Sequence, residues 1–270
     1  MNKKVPITSD DRNESYFKYY EMNLAAQPQD KLDEVKKGLS DPASALSIHD
    51  RNDLFNPGYL PGEFGYWTFE DGTAMIANLT KMPGVTPEMF AWWFAWHQLK
   101  PLRYSIWDSE DHYYVNTTHP ERSLDTSLPM IERNWGQTHI VKEDIGMGPD
   151  WIAIEFESPA TMGYDQDKVG TEACGFLACA NGHGLKVGEG MPPAVMTHFV
   201  REIEGGVELR SRFWLGYQII NGQAVKVIPD HIKIPYFAPK ALLEHNIKEF
   251  TNLGKILPTL YAEESKKPML

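Results

Sequence analysis

The order of segments predicts an α+β protein in which a curved antiparallel sheet grips one long C-terminal helix, a helix-grip architecture. Three observations predict it. Residues 101–235 are mostly short runs that suit strands, the last long run, KALLEHNIKEFTNLGKILPTLYAEE, suits a helix, and the first 60 residues are polar with helical tracts broken by Pro and Gly. A sheet with one apolar face must cover it, and a long helix against its inner face leaves a cavity between the two. The organisation expected is an N-terminal helical arm, residues 1–60, followed by a helix-grip domain, residues 61–270.

In chain order, Ser15–Leu24 and Pro28–Gly38 are the two helical tracts of the arm, and Asn56-Pro57-Gly58 with Pro61-Gly62 punctuate a loop after them. GYWTF and AMIANLTKM then flank Asp71-Gly72, a favoured hairpin turn. Thr86 is the expected N-cap and Pro87 the first residue of a helix, PEMFAWWFAWHQLK, apolar almost all round and therefore buried. RYSIW, HYYVNTT, THIVKEDIG, WIAIEFES, CGFLACANG, AVMTHFVREI, VELRSRFWLGYQI and VKVI follow as strands. A two-residue turn at Gly205-Gly206 would set His198 opposite Phe213. The final helix opens at Ala238-Pro239, with breaks expected at Gly254 and Pro258.

Composition narrows the function. The net charge of −11 repels phosphate backbones, which argues against a nucleic-acid partner. The N-terminus lacks the apolar core of a signal peptide and no stretch reaches the ~20 apolar residues of a membrane span, so a soluble, cytoplasmic protein is expected. Cys174 and Cys179 make no disulfide framework, and their spacing matches no common structural zinc site. Eight Trp, twelve Tyr and twelve Phe suit a large core or a pocket for flat apolar ligands.

The strongest local signal for chemistry is His245-x-x-x-Glu249 on the final helix. Residues four apart lie one turn apart on one face, so an imidazole and a carboxylate can reach one metal ion. Leu242, Ile247 and Phe250 mark the apolar side near both residues, where a lone carboxylate is expensive without a partner. A pair on a solvated face would show the same spacing. His112, after RYSIW, reads by itself as a turn or strand-end histidine. Glu143 shares a strand face with Val141 and with His139, which is a rival for any metal role. His198, mid-strand, and His97, among tryptophans, both fit as buried polar groups of the core.

The segments AWWFAWHQLKPLRYSIWDSEDHYY, HIVKEDIG and APKALLEHNIKEF resemble the diacetylphloroglucinol hydrolase family, and the resemblance runs from about residue 50 onward. It implies a helix-grip catalytic domain of the kind found in START domains and birch allergens. It implies one Zn2+ per chain, carried over by motif to His112, Glu143, His245 and Glu249. A strand histidine near the metal corresponds to His198, a candidate general acid/base with an unperturbed pKa near ~6.5. A tyrosine eight residues before the first metal histidine corresponds to Tyr104, expected to hydrogen-bond a ring hydroxyl. Asn116 corresponds to a polar substrate contact. Phe213 stands where the family carries a tyrosine facing the strand histidine, a departure compatible with a different acyl chain. Trp107, Phe213 and Trp214 are the candidate walls.

The activity implied is hydrolysis of the C–C bond between a phloroglucinol-type ring and its acyl carbonyl, on a small phenolic ketone. Phloretin, giving phloroglucinol and 3-(4-hydroxyphenyl)propionate, ranks ahead of diacetylphloroglucinol, which would give the monoacetyl compound and acetate. Two His and two carboxylates admit Zn, Fe, Mn or Co, so zinc rests on the resemblance alone. Three other readings compete: a helix-grip carrier of aromatic ligands without chemistry, a non-haem iron oxygenase or a cyclase, and an interaction protein. A homodimer through the N-terminal arm is a further expectation.

Overall fold

The computed structural model describes residues 3–186 and 191–270. The two helices of the N-terminal tracts are α1 (Phe17–Glu21) and α2 (Gln29–Lys36), each shorter than its tract. β1 (Gly65–Thr68) and β2 (Ala74–Pro83) form the expected hairpin. Asp71 shapes the turn, because its Oδ1 accepts from the Thr73 amide at 3.0 Å and the Thr73 hydroxyl at 2.7 Å, while Gly72 takes φ +89°. α3 (Pro87–Trp96) starts as predicted: the Thr86 hydroxyl accepts from the Met89 amide at 3.3 Å, and every residue from Phe90 to Trp96 is buried.

RYSIW is not a strand. Pro101 opens a one-turn helix, α4 (Pro101–Ser105), whose last residue donates to the carbonyls of Pro101 and His112. A five-residue run is too short for its period to separate the two structures, and the proline at the first helical position decides it. Then come β3 (His112–Thr117), α5 (Pro120–Leu124), β4 (Gln137–Glu143), β5 (Asp150–Glu157), β6 (Phe176–Gly184), β7 (Ala194–Ile203) and β8 (Gly206–Leu215).

The eight strands make one antiparallel sheet in the order β1-β2-β8-β7-β6-β5-β4-β3. The chain lays down β1 and β2, crosses through α3 and α4 to the opposite edge, and returns as a meander that closes against β2. The tight turn between β7 and β8 is Glu204-Gly205, with Gly205 at φ +77°, so His198 lies opposite Ser211 and Phe213 opposite Met196. Gly206 belongs to the strand because β2 runs beside it: a Cβ there would stand 2.4 Å from the Met82 carbonyl oxygen. The register offset of two keeps Phe213 on the face of His198, diagonally across. VELRSRFWLGYQI is interrupted at Gly216, φ +93°, after which β9 (Tyr217–Ile220) and β10 (Gln223–Lys226) pair as a separate hairpin.

The final element, α6 (Phe237–Glu264), is one unbroken helix of 28 residues packed on β2 and β1. Neither expected break occurs. Gly254 lets the helix approach β2, since a Cβ would stand 3.0 Å from Met82 Cγ. Pro258 removes only the hydrogen bond to the Gly254 carbonyl, and buried Leu253, Ile256, Leu257 and Leu260 hold the axis on either side.

Two cores result. The inner one joins α3, α4 and α6 to the concave face of the sheet and includes Tyr16, Tyr19 and Val35 of the N-terminal tracts. The outer one covers the convex face with Leu46, Ile48, Leu54 and Phe55, and holds both cysteines as free thiols. Burial pushes the Cys174 thiol up to about 12 and Cys179 higher still, which suits inert packing.

Candidate metal centre

His112 opens β3, and the pairing with β4 sets it directly across from Glu143. A bulge follows at once: the next pair is Tyr114 with Lys142, so Tyr113 is the extra residue. On α6, His245 and Glu249 share one helical face, as their spacing predicts. These two sources of side chains meet where the end of the β3–β4 pair touches the helix. His112 Nε2 lies 3.3 Å from His245 Nε2, 3.8 Å from Glu143 Oε2 and 3.7 Å from Glu249 Oε2. His245 Nε2 lies 3.9 Å from Glu249 Oε2.

The neighbours fix these groups. The Tyr104 ring stacks on His112 at 4.1 Å and 6°, and the Tyr104 carbonyl accepts from His112 Nδ1 at 3.3 Å. A carbonyl can only accept, so Nδ1 carries the proton and Nε2 offers its lone pair. The Tyr104 hydroxyl donates to Glu143 Oε2. His245 Nδ1 faces Asp111 Oδ2 at 3.7 Å, beyond hydrogen-bond reach, and has no other partner among the described residues. Asp111 in turn accepts from Lys248 Nζ at 2.6 Å, and Lys248 also meets Asp108 and Glu110, each at 3.2 Å.

The electrostatics are those of a cation site. Burial drives Glu249 up to about 8, with the Glu143 charge adding to it, and burial also raises Glu143. For His245 burial alone would lower the pKa, but Asp111, Glu249, Glu143 and Asp108 together reverse it and hold it at about 9. His112 goes the other way, well below its usual range, through burial and then the neighbouring His245 charge. Both carboxylates are thus raised, and the acidic groups around His245 favour positive charge on it, as expected of a buried cluster short of a cation. Two nitrogens on one tetrahedral zinc, each ~2.0–2.1 Å from it, stand about 3.3–3.4 Å apart. The His112–His245 separation of 3.3 Å matches that edge, the carboxylates stand 3.7–3.9 Å from the imidazoles, and the donor atoms of His112, Glu143 and His245 all lie within 4.8 Å of one another. The donor set therefore fits a divalent ion.

Beside this cluster the sheet and helix enclose a mostly apolar cavity, the kind of concave lining with a few convergent polar groups that small-molecule sites use. Glu143, His245 and Glu249 reach it from one end, and Phe94, Phe156, Met196 and Phe213 form apolar walls. Tyr104, Trp107 and His198 also line it. His198 Nδ1 shares a hydrogen bond with Ser211 Oγ at 3.0 Å, and the ring lies among Phe94, Phe213 and Phe250. Its pKa is not the unperturbed value: burial pulls it down to about 3, and the imidazole is neutral at physiological pH.

Asn116 and Trp214 are outside the site. Asn116 is exposed on the outer side of β3, and the bulge after His112 is what turns it away. Trp214 points into the outer core, where its indole N–H donates to the Leu46 carbonyl at 2.8 Å. His139 is not among the four converging groups. It is buried against Phe156 and His97, lines the cavity farther in, and its Nε2 has no partner among the described residues. His97 also lines the cavity, with Nδ1 at 2.8 Å from the Trp93 carbonyl oxygen. Sequence reasoning missed Phe94, Phe156 and Met196 as walls. It also missed Asp111 and Asn246 as partners of the helical pair. Asn246, three residues before Glu249, was open to the same helical-spacing argument.

No helix among the described residues is long and apolar enough to cross a membrane. The family model described as "DAPG hydrolase PhiG domain" matches residues 46–262. The phloretin hydrolase of Eubacterium ramulus is 43% identical over 269 residues, covering 97% of this chain and 94% of that one. The 2,4-diacetylphloroglucinol hydrolases of Pseudomonas sp and of Pseudomonas protegens are each 29% identical, covering 93% of this chain and 89% and 85% of theirs. Among solved structures, Ara h 8.0201 gives a TM-score of 0.39 at 8% identity, over 72% of this chain and 100% of that one. A family match over most of its length, joined to that 43% identity, means that the chain belongs to the diacetylphloroglucinol (DAPG) hydrolase family.

Proposed function

We propose that the protein hydrolyses the bond between a phloroglucinol-type ring and its acyl carbonyl, with phloretin as substrate and zinc at the metal centre. The observation that carries the reading is the convergence of two imidazoles and two carboxylates at one end of an apolar cavity. The identity of 43% to a phloretin hydrolase, against 29% to the diacetylphloroglucinol hydrolases, favours the longer acyl chain. The overall change adds water across one bond: the ring carbon gains a proton and the carbonyl carbon becomes a carboxylic acid.

When bound, a divalent ion supplies Lewis acidity and lowers the pKa of water. The chain's own residues do the rest. His112, Glu143, His245 and Glu249 hold the ion. Phe94, Phe156, Met196 and Phe213 grip a flat ring and keep bulk water from the leaving carbon. Burial pushes the Tyr104 phenol well above its usual range, so it stays a donor, to Glu143 or to a ring hydroxyl beside it. His198, with Nδ1 tied to Ser211, has Nε2 left for the cavity. A neutral imidazole among phenylalanines takes a proton only when negative charge develops beside it, and then hands it to the ring carbon. A trihydroxylated ring assists by taking keto character at the acyl-bearing carbon, which makes it a tolerable leaving group.

The test is incubation of metal-loaded protein with phloretin and, separately, with diacetylphloroglucinol, with products identified by mass. Phloroglucinol and 3-(4-hydroxyphenyl)propionate from the first, formed at least ~10-fold faster than acetate from the second, are expected; one methylene in an apolar pocket is worth ~10–200-fold. Absence of phloroglucinol and 3-(4-hydroxyphenyl)propionate from a fully metal-loaded sample given phloretin sinks the proposal.

A further inference from the structure

Glu249 is joined to the N-terminal tract through a line of buried polar groups. Lys31, on α2, extends beneath the Phe64 ring at 5.5 Å and places its ammonium against β2. It donates to Asn78 Oδ1 at 2.6 Å, to the Leu79 carbonyl at 2.6 Å and to Thr80 Oγ1 at 3.2 Å. All three of its protons are thereby matched. Asn78 Nδ2 donates to Asn246 Oδ1 at 2.9 Å, and Asn246 Nδ2 donates to Glu249 Oε1 at 3.0 Å. Both asparagines are wholly buried.

The direction of this line is forced by its ends. An ammonium only donates and a carboxylate only accepts. A flipped Asn78 would aim its amide protons at Lys31, and a flipped Asn246 would aim its oxygen at Glu249. Either flip leaves a buried polar group without a partner, at a cost of ~1–3 kcal/mol. One arrangement of the two amides is consistent with both ends, and in it Glu249 Oε1 is occupied. The other oxygen, Oε2, is the one that faces His112 at 3.7 Å and His245 at 3.9 Å.

We propose that Lys31, Asn78 and Asn246 are positioning residues that fix the rotamer of Glu249 and present Oε2 to the cation. The proposal rests on the metal-centre reading above. It makes α2, which lies before the matched family region of residues 46–262, a working part of the site. A ligand held by an oriented partner binds metal more tightly than one free to rotate, and loss of such a partner typically weakens binding ~10–100-fold.

The experiment measures Zn2+ affinity by competition with a chromophoric chelator, and the d–d absorption of the Co2+-loaded protein, which reports ligand number and geometry. The samples are the full chain and its Asn246→Leu, Lys31→Met and Glu249→Ala variants. Asn246→Leu should weaken Zn2+ ~10–100-fold and alter the Co2+ bands. Lys31→Met should move both readouts in the same direction by a smaller factor, and the double variant should lose less than the product of the two. Lys31→Met also serves if Asn246→Leu fails to fold, because it leaves the helix untouched. Unchanged Zn2+ affinity and Co2+ spectra in both variants, with Glu249→Ala impaired, would overturn the relay and leave the metal centre standing. Wild-type binding by Glu249→Ala would overturn the metal-centre reading, and the relay with it.

Discussion

Metal binding at this site must compete with protons, and the structure sets how strongly. In the metal-free protein His245 is held at about 9 and Glu249 at about 8. Protonated forms do not ligate, so apparent affinity rises with pH while the protons leave and levels off above about 9. At pH 7, about two units below the His245 value, that one proton weakens binding on the order of 100-fold relative to the plateau, about 3 kcal/mol. His245 and Glu249 stand 3.9 Å apart and titrate as a pair, so the release on binding is between one and two protons rather than a value for either residue. Isothermal titration of Zn2+ at pH 7 in two buffers of different ionisation enthalpy gives that number directly. Chelator competition from pH 6.5 to 9.5 should show at least a tenfold gain per unit up to pH 8 and a plateau above 9. No proton release at pH 7, with affinity flat from pH 6.5 to 8, would refute the assignment of His245 and Glu249 as ligands.

Three further outcomes follow from single contacts. Tyr104→Phe keeps the ring stacked on His112 but removes the donor to Glu143, so Zn2+ affinity or turnover should fall ~10–100-fold with the melting temperature little changed; unaltered kinetics and affinity would dismiss the hydroxyl. Phe213→Tyr places a hydroxyl on the apolar wall diagonally across from His198, and the phloretin-to-diacetylphloroglucinol ratio of kcat/KM should drop ~10-fold or more; an unchanged ratio would free Phe213 from any part in selectivity. Glu63 lies against Arg210 and Arg212 under the convex face; burial alone would raise its pKa, but the two guanidiniums hold it at about 2. A depressed carboxyl stabilises above its unfolded pKa and loses that contribution as pH falls toward the folded value, so about 2 kcal/mol should vanish between pH 5 and pH 2, allowing for its partly wet side. Urea midpoints of Glu63→Gln that track wild type across that window would contradict this.

The parts of the fold that short-range chemistry dictates could be read from the sequence. Asp71-Gly72 encodes its turn, Thr86-Pro87 its helix start, and the i,i+4 spacing of His245 and Glu249 puts both on one face whatever surrounds them. Glu143 could be placed on one strand face with His139 and Val141 by alternation. What could not be read was which strand ends meet. That His112 faces Glu143, and that both face α6, depends on a crossover from β2 to the far edge of the sheet, which no local pattern announces. RYSIW shows the same limit on a smaller scale, since five residues carry too little period to choose helix or strand.

Strand parity turns two of the expected site residues, Asn116 and Trp214, away from the cavity. Strict alternation from His112 would put Tyr114 and Asn116 on its face. The bulge at Tyr113 shifts the count by one, so Val115 and Thr117 are buried with His112 while Asn116 points to solvent. Phe213 and Trp214 are adjacent in an unbroken strand, so they cannot both line one cavity; Phe213 faces His198 and Trp214 the outer core. The bulge also accounts for the geometry at His112. By absorbing one residue just after it, β3 can leave the pairing with β4 while His112 and Glu143 remain opposed, and both side chains then reach the end of the cavity where α6 supplies the other two. Regular pairing with Tyr113 kept in the strand would instead put His112 on the face opposite Val115 and Thr117, so the bulge is what lets these three share the buried side.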